Sequence, residues 1–156
     1  MQSDEAWFQA AVVCAQSAQC SRAKCGAIIV KDSKIIGQGY NAPPQDQSCN
    51  AMCHKNQRNS PKPKSDRTCC MHAEWRAILD ALQQGHDVTG TTLYFARATD
   101  EGELLFSGQP YCTVCSRLAL DVGIAYFGLW HESGPKLYDT KTYNKLSYKY
   151  HDQKTM

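Results

Sequence analysis

The stretch His72-Ala-Glu-Trp-Arg-Ala-Ile-Leu-Asp-Ala-Leu-Gln-Gln-Gly85 predicts a helix that carries reactive side chains at its start and an apolar stripe along one face. With the two residues before it, we expect the helix to span 70–84, with Gly85 ending it. His72 and Glu74 then lie in the first turn, where free amides and the helix dipole favour negative charge. The predicted core-facing residues, at helical spacing, are Ala73, Ala77, Ile78, Ala81 and Leu82.

A second motif, Pro110-Tyr-Cys112-Thr-Val-Cys115, begins another predicted helix further along the chain. This helix should span 112–122 and end at Gly123. Cys112 and Cys115 are three residues apart, so both side chains lie on one face of its first turn. The positive end of a helix lowers thiol pKa values, which favours the thiolate form that binds metals.

The two motifs together provide one imidazole and two thiolates, the number of protein ligands that a catalytic zinc uses when its fourth position stays open for water. Zinc lowers the pKa of such a water toward neutrality. Glu74 lies close to His72 in sequence and can carry protons from the water to a leaving amine. A closed structural zinc site, or a chance pair of motifs on unrelated helices, is the alternative.

Composition favours one domain over residues 1–156, because 156 residues can bury a single good core. The formal net charge of +2 does not indicate a polyanion partner. No apolar run resembles a signal peptide or reaches membrane-spanning length. Nine cysteines without a secretory signal therefore predict a soluble, cytoplasmic protein whose thiols bind metal.

The predicted elements alternate along the chain in the order helix, two strands, helix, strand, helix, strand and tail. Strands separated by single helices imply a largely parallel second half of the sheet, with helices packed on its faces. Ser3 is the expected cap of the first helix. The predicted strands are 26–30, 35–39, 91–96 and 124–130, and the first two form a hairpin.

The order H-x-E followed by P-C-x-x-C is the signature of zinc nucleobase deaminases, and the chain resembles the deoxycytidylate deaminase family within the cytidine deaminase superfamily. The resemblance covers roughly residues 6–130. It implies an α/β fold with three layers, in which a mixed central sheet carries helices on both faces, and a homo-oligomer. Besides the two motifs, it rests on the segments 20–30, Gly39-Tyr-Asn41, Thr92-Leu-Tyr94 and Asp121-Val-Gly-Ile124.

The resemblance implies a role for each matching residue. The implied zinc ligands are His72, Cys112 and Cys115, with Glu74 as proton shuttle. Asn41 is implied as a contact to the sugar of the substrate, and the amide of Ala73 is implied near the base carbonyl. Asparagine after a strand is also often only a turn residue.

The reaction implied is hydrolytic deamination of a small-molecule nucleoside or nucleotide. A cytosine-type compound similar to dCMP would be converted to its uracil form with release of ammonia. The alternatives are a deaminase for another nucleobase such as guanine, a deaminase for single-stranded nucleic acid, and a zinc-stabilised binding protein without catalysis. An intact Glu74 disfavours the last of these.

Further cysteines lie before the first strand and in the cysteine-rich loop 42–70. Some microbial members of the family bind a second, structural zinc there, and a closed site needs four ligands. A metal would order a polar loop with little apolar burial; free thiols are the alternative. The predicted ligands are Cys20, Cys49, Cys53 and Cys69, with His54 and Cys70 as substitutes.

Three departures from the family concern substrate and regulation. Tyr111 separates Pro110 from Cys112, and the insertion 99–109 precedes them, so it can reshape or cover the base pocket. The family has a glycine-rich sequence associated with nucleotide regulation where this chain has Ala-Pro-Pro at 42–44, so allosteric control by dCTP is not expected.

The C-terminal extension 136–156 interleaves lysine and tyrosine residues. This pattern favours a packed helix over a surface that binds single-stranded nucleic acid.

Overall fold

A computed structural model describes residues 2–19, 23–47 and 70–154, which form a mixed sheet between two layers of helices. The predicted three-layer α/β/α class is confirmed. In chain order, the elements are α1 Asp4–Ala15, β1 Lys24–Lys31, β2 Lys34–Tyr40, α2 Ala73–Gln83, β3 Thr92–Ala98, β4 Leu104–Leu105, α3 Thr113–Asp121, β5 Tyr126–His131, β6 Gly134–Asp139 and α4 Thr140–Lys154.

The strand order is β2-β1-β3-β5-β6, with the short β4 paired to the end of β3. The two predicted strands of the second half, β3 and β5, pair in parallel as expected. The second half also contains β4 and β6, which pair antiparallel, so it is mixed and not largely parallel. Strand β6 pairs antiparallel with β5 and was not predicted from the sequence. As an edge strand it exposes most of its residues and tolerates Pro135, so it has no apolar run to reveal it.

One face of the sheet is covered by α1. The Ser3 hydroxyl accepts a hydrogen bond from the Ala6 amide at 3.2 Å, which confirms the predicted helix cap. Along β1 the side chains alternate between the two faces, as a strand requires. Ile28 and Val30 belong to the core under α1, whereas Ala27 and Ile29 belong to the core on the opposite face.

The opposite face is covered by α2, α3 and α4. Apolar residues of α2 and α3 pack there with Leu93 of β3 and Phe127 of β5. Tyr143 of α4 completes this core, and its ring stacks on Phe127 with centroids 4.0 Å apart. The C-terminal region thus contains the packed helix that the sequence pattern favoured. No helix in the described ranges is both long and apolar enough to cross a membrane.

Glycines let two helices approach the sheet closely. A Cβ atom at Gly26 would overlap the carbonyl oxygen of Ala11 in α1. At Gly39 it would lie 2.5 Å from the carbonyl oxygen of Ala73 and 2.5 Å from the amide nitrogen of Ala77. The backbone of β2 therefore fixes the position of the first turns of α2, where His72 and Glu74 lie.

Candidate active site

The candidate site forms where the N-terminal ends of α2 and α3 meet. His72 is the capping residue of α2, and Cys112 is the capping residue of α3. The Cys112 sulfur accepts a hydrogen bond from the Cys115 amide at 3.3 Å, so the first of these thiols also caps its helix. Both helices begin slightly later than predicted, and the reactive residues lie at or just inside their first turns.

The three predicted metal ligands lie together. The Nδ1 atom of His72 lies 3.2 Å from the Cys115 sulfur and 3.5 Å from the Cys112 sulfur. The two sulfurs are 2.7 Å apart. Within residues 2–19, 23–47 and 70–154, this is the only group of three or more potential ligands whose atoms all lie within 4.8 Å of one another.

The donor set suits zinc, which proteins bind through imidazole nitrogen and thiolate sulfur. A hydrogen bond from Cys115 lowers the pKa of the Cys112 thiol, and His72 lowers it further against the effect of burial. Burial raises the pKa of Cys115 well above its ordinary value. Thiols bind metals as thiolates, so a divalent cation that binds here would displace a proton from Cys115.

Glu74 lies in the first turn of α2 with only 6% of its surface exposed. Burial raises the pKa of its carboxyl, and the negative charge of Cys112 raises it further, whereas His72 and Cys115 act in the opposite direction. A carboxyl whose pKa is moved toward neutral pH can both take up and release a proton under physiological conditions. The structure therefore places a buried carboxyl with a raised pKa directly beside the candidate metal ligands.

Trp75 contacts a predicted ligand, although the sequence did not indicate a place for it in the site. Its indole stacks on the His72 imidazole with ring centroids 4.0 Å apart and an angle of 5° between the planes. The stacking fixes the plane of the imidazole. The indole nitrogen is buried without a hydrogen-bond partner among the described residues.

Ala73 and Asn41, the two residues that the resemblance implied as substrate contacts, are both buried. The amide of Ala73 is the first of α2, and the first four amides of a helix have no partner within the helix. The Asn41 side chain joins the end of β2 to the start of β1: its oxygen accepts from the Cys25 amide at 2.8 Å, and its nitrogen donates to the Ala23 carbonyl at 2.8 Å. Both substrate contacts stay predictions.

Replacing Asn41 with Asp should destabilise the protein by about 1–3 kcal/mol, because a carboxylate cannot donate to the Ala23 carbonyl and would face it with negative charge. Urea unfolding monitored by circular dichroism measures the change. Gln109→Glu makes the same amide-to-carboxylate change at an exposed position and serves as the control. Equal stability of Asn41→Asp and wild type would show that the hydrogen bond to the Ala23 carbonyl is dispensable.

The predicted ligands of a second zinc mostly lie outside the described residues. Cys20, Cys49, Cys53, His54 and Cys69 all belong to this group. Cys70 is described and buried. Next to it, the Met71 amide donates to the Ala42 carbonyl at 2.7 Å, so the two ends of the loop 42–70 meet in a short antiparallel bridge.

Comparisons with known proteins agree with the fold and the cluster. The family model described as the cytidine and deoxycytidylate deaminase zinc-binding region matches residues 1–127. The chain is 32% identical over 127 residues to the deoxycytidylate deaminase of Mycobacterium phage D29, an alignment that covers 78% of this chain and 88% of the phage protein.

Two solved structures share the fold. The dCMP deaminase of cyanophage S-TIM5, in complex with dCMP and dUMP, aligns with a TM-score of 0.59 and 24% identity over 81% of each chain. The cytidine deaminase of Burkholderia pseudomallei aligns with a TM-score of 0.61 and 17% identity over 91% of this chain and 96% of its own. From the matched region, the identity to the phage D29 protein and the shared fold, the chain belongs to the cytidine and deoxycytidylate deaminase family and is a hydrolytic deaminase.

Proposed function

We propose that this protein is a zinc-dependent deaminase that converts a cytosine-type nucleotide similar to dCMP to its uracil form and releases ammonia. The observation that carries the proposal is the meeting of His72, Cys112 and Cys115 beside the buried carboxyl of Glu74. The similarity to the phage D29 deoxycytidylate deaminase supports the choice of substrate. The complex of the cyanophage enzyme with dCMP and dUMP is consistent with it.

In this proposal His72, Cys112 and Cys115 hold the zinc, which when bound would act as a Lewis acid toward the attacking water. Glu74 takes a proton from that water and delivers it to N3 of the base. The oxygen of this water forms a bond to C4, and Glu74 then moves the second proton of that oxygen to the amino group; the bond between C4 and the nitrogen breaks, ammonia leaves, and C4 becomes a carbonyl carbon. Asn41 and the Ala73 amide position the sugar and the base carbonyl.

The rest of the proposal concerns the whole chain. Residues 1–156 act as one deaminase domain, with 42–70 as its cysteine-rich loop and 136–156 as its C-terminal region. The substrate is a free nucleotide and not a nucleic acid, since the net charge is only +2. Family membership supports a homo-oligomer, and nine cysteines favour a reducing compartment, the cytoplasm.

The test is to incubate zinc-loaded protein with single compounds and measure deaminated product by mass spectrometry. The compounds are cytosine, cytidine, deoxycytidine, CMP, dCMP, guanine and a single-stranded oligonucleotide. We expect dCMP to be turned over fastest. Product only from guanine or only from the oligonucleotide would contradict the proposed substrate, and no product from any compound would contradict the proposed function.

We also propose a second, structural zinc held by Cys20, Cys49, Cys53 and Cys69, supported by the number and positions of these cysteines in the sequence. Wild-type protein should then contain two zinc ions per chain, measured by elemental mass spectrometry. The double variant Cys49→Ser/Cys53→Ser should contain one, and the control Cys14→Ser should contain two. One zinc ion in wild type would contradict the second site.

A further inference from the structure

Helix α4 packs on α3 in a defined direction. The Ser116 hydroxyl of α3 lies 2.9 Å from the side-chain oxygen of Asn144 and 3.1 Å from the Ser147 hydroxyl, both in α4. Ser116 and Ser147 are fully buried. Since Ser116 follows Cys115 directly, this contact joins α4 to the first turns of α3, where the predicted metal ligands lie.

A second contact between the two parts of the chain lies nearer to the site. The ring of Tyr111, the residue before Cys112, lies 5.8 Å from the ring of Tyr150 of α4, measured between centroids. Ser147 of α4 thus contacts Ser116, and the later residue Tyr150 contacts the earlier residue Tyr111. The two helices are antiparallel, and the late turns of α4 reach the end of α3 that carries Cys112.

The spacing of the α4 residues explains why Tyr150 points toward Tyr111. Tyr143, Ser147 and Tyr150 are separated by four and three residues, so they lie on one face of the helix. Tyr143 is buried in the core against Phe127, and Ser147 contacts α3. These two anchored residues fix the rotation of α4 and direct Tyr150 to the same side.

Tyr111 is held between two fixed points of the main chain. Pro110 before it is fully buried, and Cys112 after it caps α3. The residue itself is 46% exposed. Tyr111 therefore presents an aromatic side chain to solvent directly next to Cys112, one of the candidate metal ligands.

We propose that Tyr111, supported by Tyr150, forms an aromatic wall beside the candidate metal ligand Cys112 and packs against the base of the substrate. An aromatic ring favours a flat heteroaromatic ligand through stacking and apolar contact. Tyr111 is thereby a determinant of substrate affinity, and α4 contributes to the site by positioning it. The inference rests on the proposed function, which supplies a pyrimidine nucleotide as the ligand.

The experiment compares kcat and KM for dCMP in wild type, Tyr111→Leu, Tyr111→Phe and Tyr150→Leu. Tyr111→Leu should raise KM about tenfold, equivalent to about 1.4 kcal/mol, with kcat changed less than about twofold. Tyr111→Phe keeps the aromatic ring, so its KM should stay within about twofold of the wild-type value. Tyr150→Leu leaves the Tyr111 ring less firmly held and should raise KM about threefold, because the base then stacks on it more weakly. Tyr148→Leu removes an exposed tyrosine of the same helix and should leave both constants unchanged.

Calorimetric binding of dCMP to each variant in a Glu74→Gln background gives the same comparison without turnover, and the zinc content shows whether the metal site is intact. An unchanged KM in Tyr111→Leu, while wild type deaminates dCMP, would overturn the aromatic wall and leave the proposed function standing. A loss in Tyr111→Phe as large as in Tyr111→Leu would also overturn it, since the hydroxyl would then be responsible. If wild type neither binds nor deaminates dCMP, the proposed function fails and this inference fails with it.

Discussion

Replacing Glu74 with Gln lowers kcat for dCMP about a thousandfold, within the range found when a proton-transferring side chain is removed. Glutamine has nearly the same size as glutamate, but its amide cannot accept and return a proton. The effect should be large because, in the proposed mechanism, one carboxyl transfers protons to both the ring nitrogen and the leaving amine. Steady-state kinetics with detection of released ammonia measures the loss.

The zinc content of Glu74→Gln separates this role from metal binding. The carboxyl is not among the three atoms that converge at the cluster, so the variant should keep as much zinc as wild type. Glu103→Gln makes the same change at an exposed position between β3 and β4, and it should retain full activity. Retention of more than about a tenth of wild-type kcat in Glu74→Gln would contradict the proposed proton transfer, and loss of zinc would indicate that Glu74 is a ligand.

Replacing Gly26 with Ala destabilises the protein by about 3 kcal/mol or more, at the upper end of overpacking effects. The added methyl group would overlap the Ala11 carbonyl oxygen and lie 2.7 Å from the Ala15 amide nitrogen. Both are backbone atoms of α1, so no change of side-chain rotamer relieves the overlap, and the helix itself must move away from the sheet. Urea unfolding measures the change, provided that the variant folds at low temperature.

Gly108→Ala is the matched control for this variant. No atom lies within 4 Å of the position that its Cβ would occupy, so its free energy of unfolding should change by less than about 0.5 kcal/mol. Equal effects of the two substitutions would show that the close approach of α1 to β1 does not contribute to stability. A large effect of Gly26→Ala alone would show that it does.

The sequence predicted the helices of the site well because their ends carry strong local signals. Gly85 and Gly123 follow the two helices and have positive φ values of 84° and 88°, as residues after a helix end often do. The predicted start of the first helix at residue 70 was too early, since Met71 instead bridges to Ala42. That pairing partner is distant in sequence, and helical periodicity gives no information about it.

Other features of the site depend on contacts that a sequence pattern does not encode. Spacing alone placed Trp75 on the helix but did not predict that its ring would stack on His72. The substrate contact of Asn41 stays a prediction, and nothing in the sequence indicated that its amide connects two strands. The edge strand β6 has no buried alternation and was therefore read as part of a tail.

The parallel pairing of β3 with β5 has a consequence for metal affinity. A helix that packs on a sheet and leads into a strand by a short connection runs antiparallel to that strand; α2 leads into β3 and α3 into β5, so both helices start at the same end of the sheet. The pairing of Leu93 with Phe127 therefore sets how far His72 lies from the two thiols. A slip of one residue in this pairing would turn the core side chains of β5 to the other face of the sheet and would move the candidate ligands apart. We therefore expect the register of β3 and β5 to affect metal affinity, although neither strand contributes a ligand.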